Sequence, residues 1–236
     1  MRLRWFSSLG SICLVAMIAV VTMIAGLQGA YAQASPEASP DAIAGPADLP
    51  GFQQVAARMY SGDIGAILAA AATPVASGTP APSVVTMTAV AIRFDSEASA
   101  ASGYDAALEQ LTGPSSTGGI ELKELAVEGF SGQTNAYVAS IEQDGGITLH
   151  QVVVITQNGE YIYELIAVAL SSSEEAQAIA TDVARAMIAT PAGTGEATFV
   201  KDGTSTGGIW DKFPKAGDPA LHGLTPEMDD QTDPPA

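Results

Sequence analysis

The sequence predicts an α+β fold: an antiparallel sheet of about five strands packed with two or three helices. Three features predict it. Between residues 134 and 170, Asp144-Gly145-Gly146 and Asn158-Gly159 separate runs rich in Val, Ile, Tyr and Thr. Such dipeptides between apolar runs are strong hairpin signals, so this stretch reads as three antiparallel strands. Along residues 161–170, Tyr161, Tyr163, Leu165, Ala167 and Ala169 alternate with Ile162, Ile166, Val168 and Leu170, so both faces of that strand are apolar and need cover. Two segments, 96–111 and 171–189, carry apolar stripes at helical spacing that supply the cover.

The N-terminus reads as a targeting segment, outside the fold. Arg2 and Arg4 precede an uncharged run over residues 5–27, and Ala30-Tyr31-Ala32 gives the small-x-small pattern of a cleavage site, so residues 1–32 are expected to be a signal peptide cut after Ala32. The protein is then secreted or extracytoplasmic. If the leader were retained it would serve as an anchor, because its apolar run approaches the ~20 residues that span a bilayer. Cys13, the single cysteine, lies inside the apolar run behind Gly10-Ser11-Ile12, which is not a lipobox. Cleavage leaves no cysteine, so the mature chain is disulfide-free and depends on a buried core. It also leaves seven basic against 26 acidic residues, a net charge of about −19, which disfavours nucleic acid and anionic membrane surfaces and keeps an exported protein soluble.

The remaining elements follow in order. Residues 33–48, rich in Ala, Pro, Ser and acid, read as a disordered linker, and residues 49–191 as the sandwich domain. Residues 52–60 fit a strand or a helical turn. Residues 63–72 read as a short helix with Ile64, Ile67, Leu68 and Ala71 on one face, stopped by Pro74; residues 73–83, with Pro74, Pro80 and Pro82, read as a semi-rigid surface loop. The unbroken apolar run 84–94 fits a central strand covered on both faces. In the helix 96–111 the stripe is Ala100, Tyr104, Ala107, Leu108 and Leu111, with Glu97, Asp105 and Glu109 largely off it and Gly113-Pro114 as the stop. A loop over 113–119, a strand over 120–127 and a turn at 129–132 lead into the three-stranded unit. Ser172 and Glu175 form a capping box for the last helix, Ala176, Ile179, Ala180, Val183 and Met187 its buried stripe, and Thr190-Pro191 its end. Residues 192–236 read as a Gly/Asp/Pro-rich flexible tail.

A strand ending Ile92-Arg93-Phe94, a helix from Ser96 with Ala100 and Tyr104 inward, a Gly-Phe-Ser-Gly turn before Ala136-Tyr137-Val138, then a hairpin and a closing helix make up a pattern over about residues 49–190. It resembles the PsbP-like superfamily, the LpqN-type lipoproteins and the PknH-type extracellular sensor domains of actinobacteria. The chain departs from those domains at Gln133, where many carry an acidic residue after the glycine, and in lacking the disulfides of the PknH-type domains. The resemblance implies an α/β/α sandwich acting as a binding or accessory module, with no catalytic residues to carry over.

Candidate chemistry is sparse. Gly203-Thr204-Ser205-Thr206-Gly207 matches G-x-S-x-G, with Asp211, Asp218 and His222 downstream, but a nucleophile elbow needs a strand before the serine and a helix after it, and Pro214 follows instead. His150 shares a strand face with Thr148, Val152 and Val154, as a pH-sensitive contact, a proton shuttle or a partly buried sheet histidine with a satisfied hydrogen bond. Two histidines and no mature cysteine leave few ligands for zinc or a redox metal, and Asp229, Asp230 and Asp233 lack EF-hand spacing, so no metal or cofactor is expected. Glu164 interrupts an apolar strand face: paired with Arg93 or Lys123 it is structural, and in a cleft it holds a cationic ligand. Trp210 and Phe213 are an aromatic anchor that docks on the domain or on a partner, or else belong to the flexible tail.

The expected function is a non-catalytic binding or accessory module at the cell surface for an unknown small ligand or envelope protein. Its contacts are drawn from His150, Glu164, Trp210 and Phe213, in a cleft beside the loop 73–83 or on the face bearing His150. A structural protein that recruits a partner through its acidic tail is the alternative, and a serine hydrolase the remote one.

Overall fold

The computed structural model describes residues 49–63, 65, 67, 83–113, 121–143, 147–170, 172–198, 200 and 204–232. The leader 1–32, the linker 33–48, the surface loop 73–83 apart from Ser83, the loop 113–119 apart from Gly113, the Asp144-Gly145-Gly146 turn and Asp233 lie outside those residues. Of the helix read over 63–72, Asp63, Gly65 and Ile67 are described, the last two helical.

The described elements are β1 (Phe52–Ser61), β2 (Val84–Phe94), α1 (Glu97–Thr112), β3 (Leu122–Leu125), β4 (Thr134–Gln143), β5 (Ile147–Asn158), β6 (Tyr161–Ala169), α2 (Ser173–Ala189) and β7 (Thr225–Thr232), with short 3-10 turns at Gly208–Lys212 and Pro219–Leu221. The strands form one sheet of seven, not five, in the order β3-β4-β5-β6-β2-β1-β7, and every neighbouring pair is antiparallel. The two extra strands are β1, whose pattern fitted strand or helical turn alike, and β7, which lies in the segment read as a flexible tail. Its sequence Thr-Pro-Glu-Met-Asp-Asp-Gln-Thr holds some of the poorest strand formers, so propensity argues against it. Tertiary pairing overrides that preference: β7 runs beside β1 from Val55↔Thr232 to Ser61↔Thr225. On an edge strand, Pro226 and the exposed Glu227 and Asp230 also discourage further pairing.

The three-stranded unit forms as expected, with one adjustment at its second hairpin. Asn158 is the last residue of β5 and pairs with Tyr161, so the two-residue loop is Gly159-Glu160. Gly159 takes φ +58° and Glu160 does not have positive φ, the glycine-first arrangement of a type II′ turn in place of an Asn-Gly type I′ turn.

The helices lie on opposite faces of the sheet. On one face, Ala100 and Tyr104 of α1 pack on Val90, Ile92, Phe94, Ile155 and Ile162. A feature absent from the predicted stripe sets their spacing. A Cβ on Gly103 would stand 2.6 Å from Phe94 Cζ and 3.2 Å from Ile162 Cδ1, so glycine is what lets α1 approach the sheet. On the other face, the predicted stripe of α2 is buried against Ala89, Ala91, Val154, Tyr163 and Leu165. The Ser172 cap forms, its Oγ accepting from Glu175 N at 3.1 Å. The Glu175 side chain departs from the capping box and accepts from Ser83 N (3.2 Å) and Ser83 Oγ (2.5 Å), tying the start of α2 to the start of β2.

α2 leaves the β1 end of its face uncovered, and the C-terminal segment fills the gap. Ile209, Trp210, Phe213, Leu221 and Leu224 join the same core as Ala56 and Tyr60. Residues 204–232 are thus part of the folded domain. They have no helical or alternating pattern because 3-10 turns and a polar edge strand carry neither.

Candidate functional site

Charge is buried on both faces of the sheet, in two different ways. On the α2 face, Arg58 of β1 and Asp229 of β7 are register neighbours, so their side chains point the same way. They form a two-pronged pair, Nε to Oδ1 at 2.7 Å and Nη2 to Oδ2 at 2.9 Å, and both residues are buried. Arg58 Nη2 also donates to Ser205 O at 2.8 Å, and Asp229 Oδ2 accepts from Ser205 N. Trp210 and Phe213 stack near the guanidinium, 5.7 and 5.3 Å from it to the ring centroids. Burial works against the Arg58 charge, and Asp229 more than restores it, so the guanidinium is held above its ordinary pKa. Beside it Tyr60 donates to Pro214 O at 3.1 Å, and burial pushes its phenol up.

Lys212 is buried on the same face. Its Nζ donates to Thr190 O (3.0 Å) and Met187 O (3.4 Å), the free carbonyls at the end of α2, and lies 4.5 Å from the Tyr161 ring centroid. Burial lowers its pKa. Arg58, Asp229, Tyr60 and Lys212 all have polar partners, so this region reads as a clasp that fastens the C-terminal segment.

The α1 face is different. Glu164 sits between Val90 of β2 and Ile155 of β5, in the middle of an apolar row. It is half-buried, and neither cation proposed for it from sequence reaches it. Arg93 pairs with Glu160 at 3.0 Å, and Lys123 stands in register with Val138, whose side chain belongs to the α2 face. The structural-pair reading of Glu164 is therefore corrected. Desolvation pushes its carboxyl up to about 7. One register position along β2, Thr88 is 4% exposed, and its Oγ1 is buried with no hydrogen-bond partner. Asn135 continues the Glu164 row on β4, where its Oδ1 accepts from Tyr104 OH at 2.6 Å. Tyr104 is pushed up to about 12, first by desolvation and then by Tyr137 nearby. Among the described residues the Glu164 carboxyl has no ion-pair partner and the Thr88 hydroxyl no hydrogen bond, which sets this face apart from the satisfied network around Arg58.

The other sequence candidates are placed as follows. His150 is half-buried at the end of the α2 face, its Nδ1 3.0 Å from Ser140 Oγ across the β4–β5 pair. Trp210 is fully buried and Phe213 nearly so; the aromatic anchor docks on its own domain. The G-x-S-x-G residues have separate partners. Ser205 Oγ accepts from Val200 N, Asp211 from Gly207 N, Asp218 from Ala220 N, and His222 Nε2 lies 2.9 Å from Asp182 Oδ2. Asp229, considered for calcium, is the partner of Arg58. Among the described residues no cluster of His, Cys, Asp and Glu has the arrangement of a metal site.

Arg58, Lys212 and Thr88 went unremarked in the sequence, and Asp229 was weighed only as a calcium ligand. Arg58 interrupts an apolar run as Glu164 does, and that signal was legible. Its partner lies 171 residues away, and no local pattern encodes that distance. Comparisons with protein-family models, with curated proteins and with solved structures return no match.

Proposed function

We propose that the chain is an exported, non-catalytic binding module that takes a small ligand on the α1 face of its sheet, at Glu164. The observation that carries this reading is the unpaired, desolvated Glu164 carboxyl with the orphan Thr88 hydroxyl on the next strand. A fold whose purpose is support gains nothing from such groups, since each costs about 1–3 kcal/mol when unsatisfied. Export rests on the leader pattern at residues 1–32, and the likeness to PsbP-like domains agrees with an accessory role. Recruitment through the tail loses support because Trp210 and Phe213 are packed around Arg58.

The test is a thermal-shift screen of the purified chain against cationic, neutral and anionic small molecules, repeated on Glu164→Gln. Compounds whose shift disappears in Glu164→Gln and persists in Tyr161→Phe, a change on the opposite face, support the site. A panel in which no compound distinguishes Glu164→Gln from the parent overturns it.

A further inference from the structure

Sulfur is scarce in this chain and unevenly sheltered. The single cysteine, Cys13, lies within residues 1–32, and the described residues carry Met59, Met87, Met187 and Met228 as their only sulfur. Met87 and Met187 belong to the α2-face core and are 0% exposed, whereas Met59 is half-buried and Met228 is 45% exposed. Met59 of β1 and Met228 of β7 stand directly opposite one another, which places their Cβ atoms about 4.5–5.5 Å apart on the α1 side of the sheet. Packing does not account for Met228. Among the described residues its side chain joins none of the apolar clusters, and its strand neighbours Glu227 and Asp230 are exposed acids of the kind that protect a sheet edge. Asp229, the next residue, points to the opposite face, where it holds Arg58.

We infer that Met228 is a site of reversible oxidation by hydroperoxides, with Met59 behind it as a second, slower thioether. The sulfur attacks one peroxide oxygen; the O–O bond breaks, an S–O bond forms, and water or an alcohol leaves with the remaining oxygen. The thioether is thereby oxidised to the sulfoxide by two electrons and the peroxide is reduced by two. A thioether carries no proton to lose, so access to the sulfur decides which methionine reacts first. The product decides what the reaction costs. A sulfoxide is polar, so an exposed edge strand accepts it and a packed core does not. Met228 therefore takes up oxidant with the Arg58 and Asp229 pair intact, while the same change at Met87 or Met187 would disrupt the core beneath α2.

The probe is hydrogen peroxide, added to the purified chain and followed by peptide mass spectrometry. Met228 is expected to gain its oxygen about tenfold or more faster than Met87 and Met187, with Met59 between them. While Met228 alone is oxidised, the urea midpoint should stay that of the untreated chain, and methionine sulfoxide reductases for the two sulfur epimers should return the thioether. Met228→Leu, a swap of similar volume, should fold as the parent does and lack the fast phase of oxidation. Equal rates at Met228 and Met87, or a fast phase that persists in Met228→Leu, overturn the assignment. A urea midpoint lowered by oxidation of Met228 alone, or a sulfoxide there that the reductases do not restore, overturns its reversible character.

Discussion

The two faces of this sheet handle buried charge in opposite ways. On the α2 face Arg58 meets Asp229, two aromatic rings and a backbone carbonyl, and Lys212 meets the carbonyls that α2 cannot use itself. On the α1 face Glu164 and Thr88 meet hydrocarbon. A completed network resists change and defines geometry; an incomplete one is poised to accept something. Burial alone does not distinguish the two groups of charges; the presence of partners does.

The largest effect that tests this contrast lies in the clasp. Asp229→Ala leaves a buried guanidinium unpaired and should cost about 3–5 kcal/mol in urea unfolding followed by circular dichroism. The double change Arg58→Met with Asp229→Leu should recover most of that loss. A single-variant loss below about 1 kcal/mol would mean that the pair is solvated and the clasp is not a buried network.

Glu164 should behave in the reverse sense. Its folded pKa lies above its ordinary value of 4.5, at about 7, so the folded state holds the proton more tightly and stability falls as pH rises between those values. Glu164→Gln should match the parent near pH 4 and exceed it at pH 8 by on the order of 2 kcal/mol. A difference that does not change with pH removes the desolvated carboxyl from the account. The smallest of these effects is at the start of α2: Ser172→Ala should cost about 1 kcal/mol and nothing more, since Glu175 keeps its bonds to Ser83.

Much of the architecture was legible because it is written in local patterns. The run 84–94, the alternation over 161–170 and the stripe Ala176 to Met187 each report burial within a single element, and each forms as expected. The tail was misread for the opposite reason: its order comes from β1, through Arg58 and the core around Tyr60, and no window of the C-terminal sequence contains those residues. The candidate site was half legible. Glu164 stood out as a charge in an apolar strand, whereas its lack of a partner depends on where Arg93 and Lys123 point, which register decides. Thr88 gave no signal, because threonine is ordinary in a strand and only the surrounding packing orphans its hydroxyl.

The pairing of β7 with β1 also governs how this protein is made. Arg58 emerges in synthesis 171 residues before its carboxylate partner Asp229. Until then β1 presents a bare edge and a charge with no place in the interior, so a nascent or clipped chain is sticky along that edge. Deletion of β7 should therefore leave the β1 edge open and favour aggregation through it.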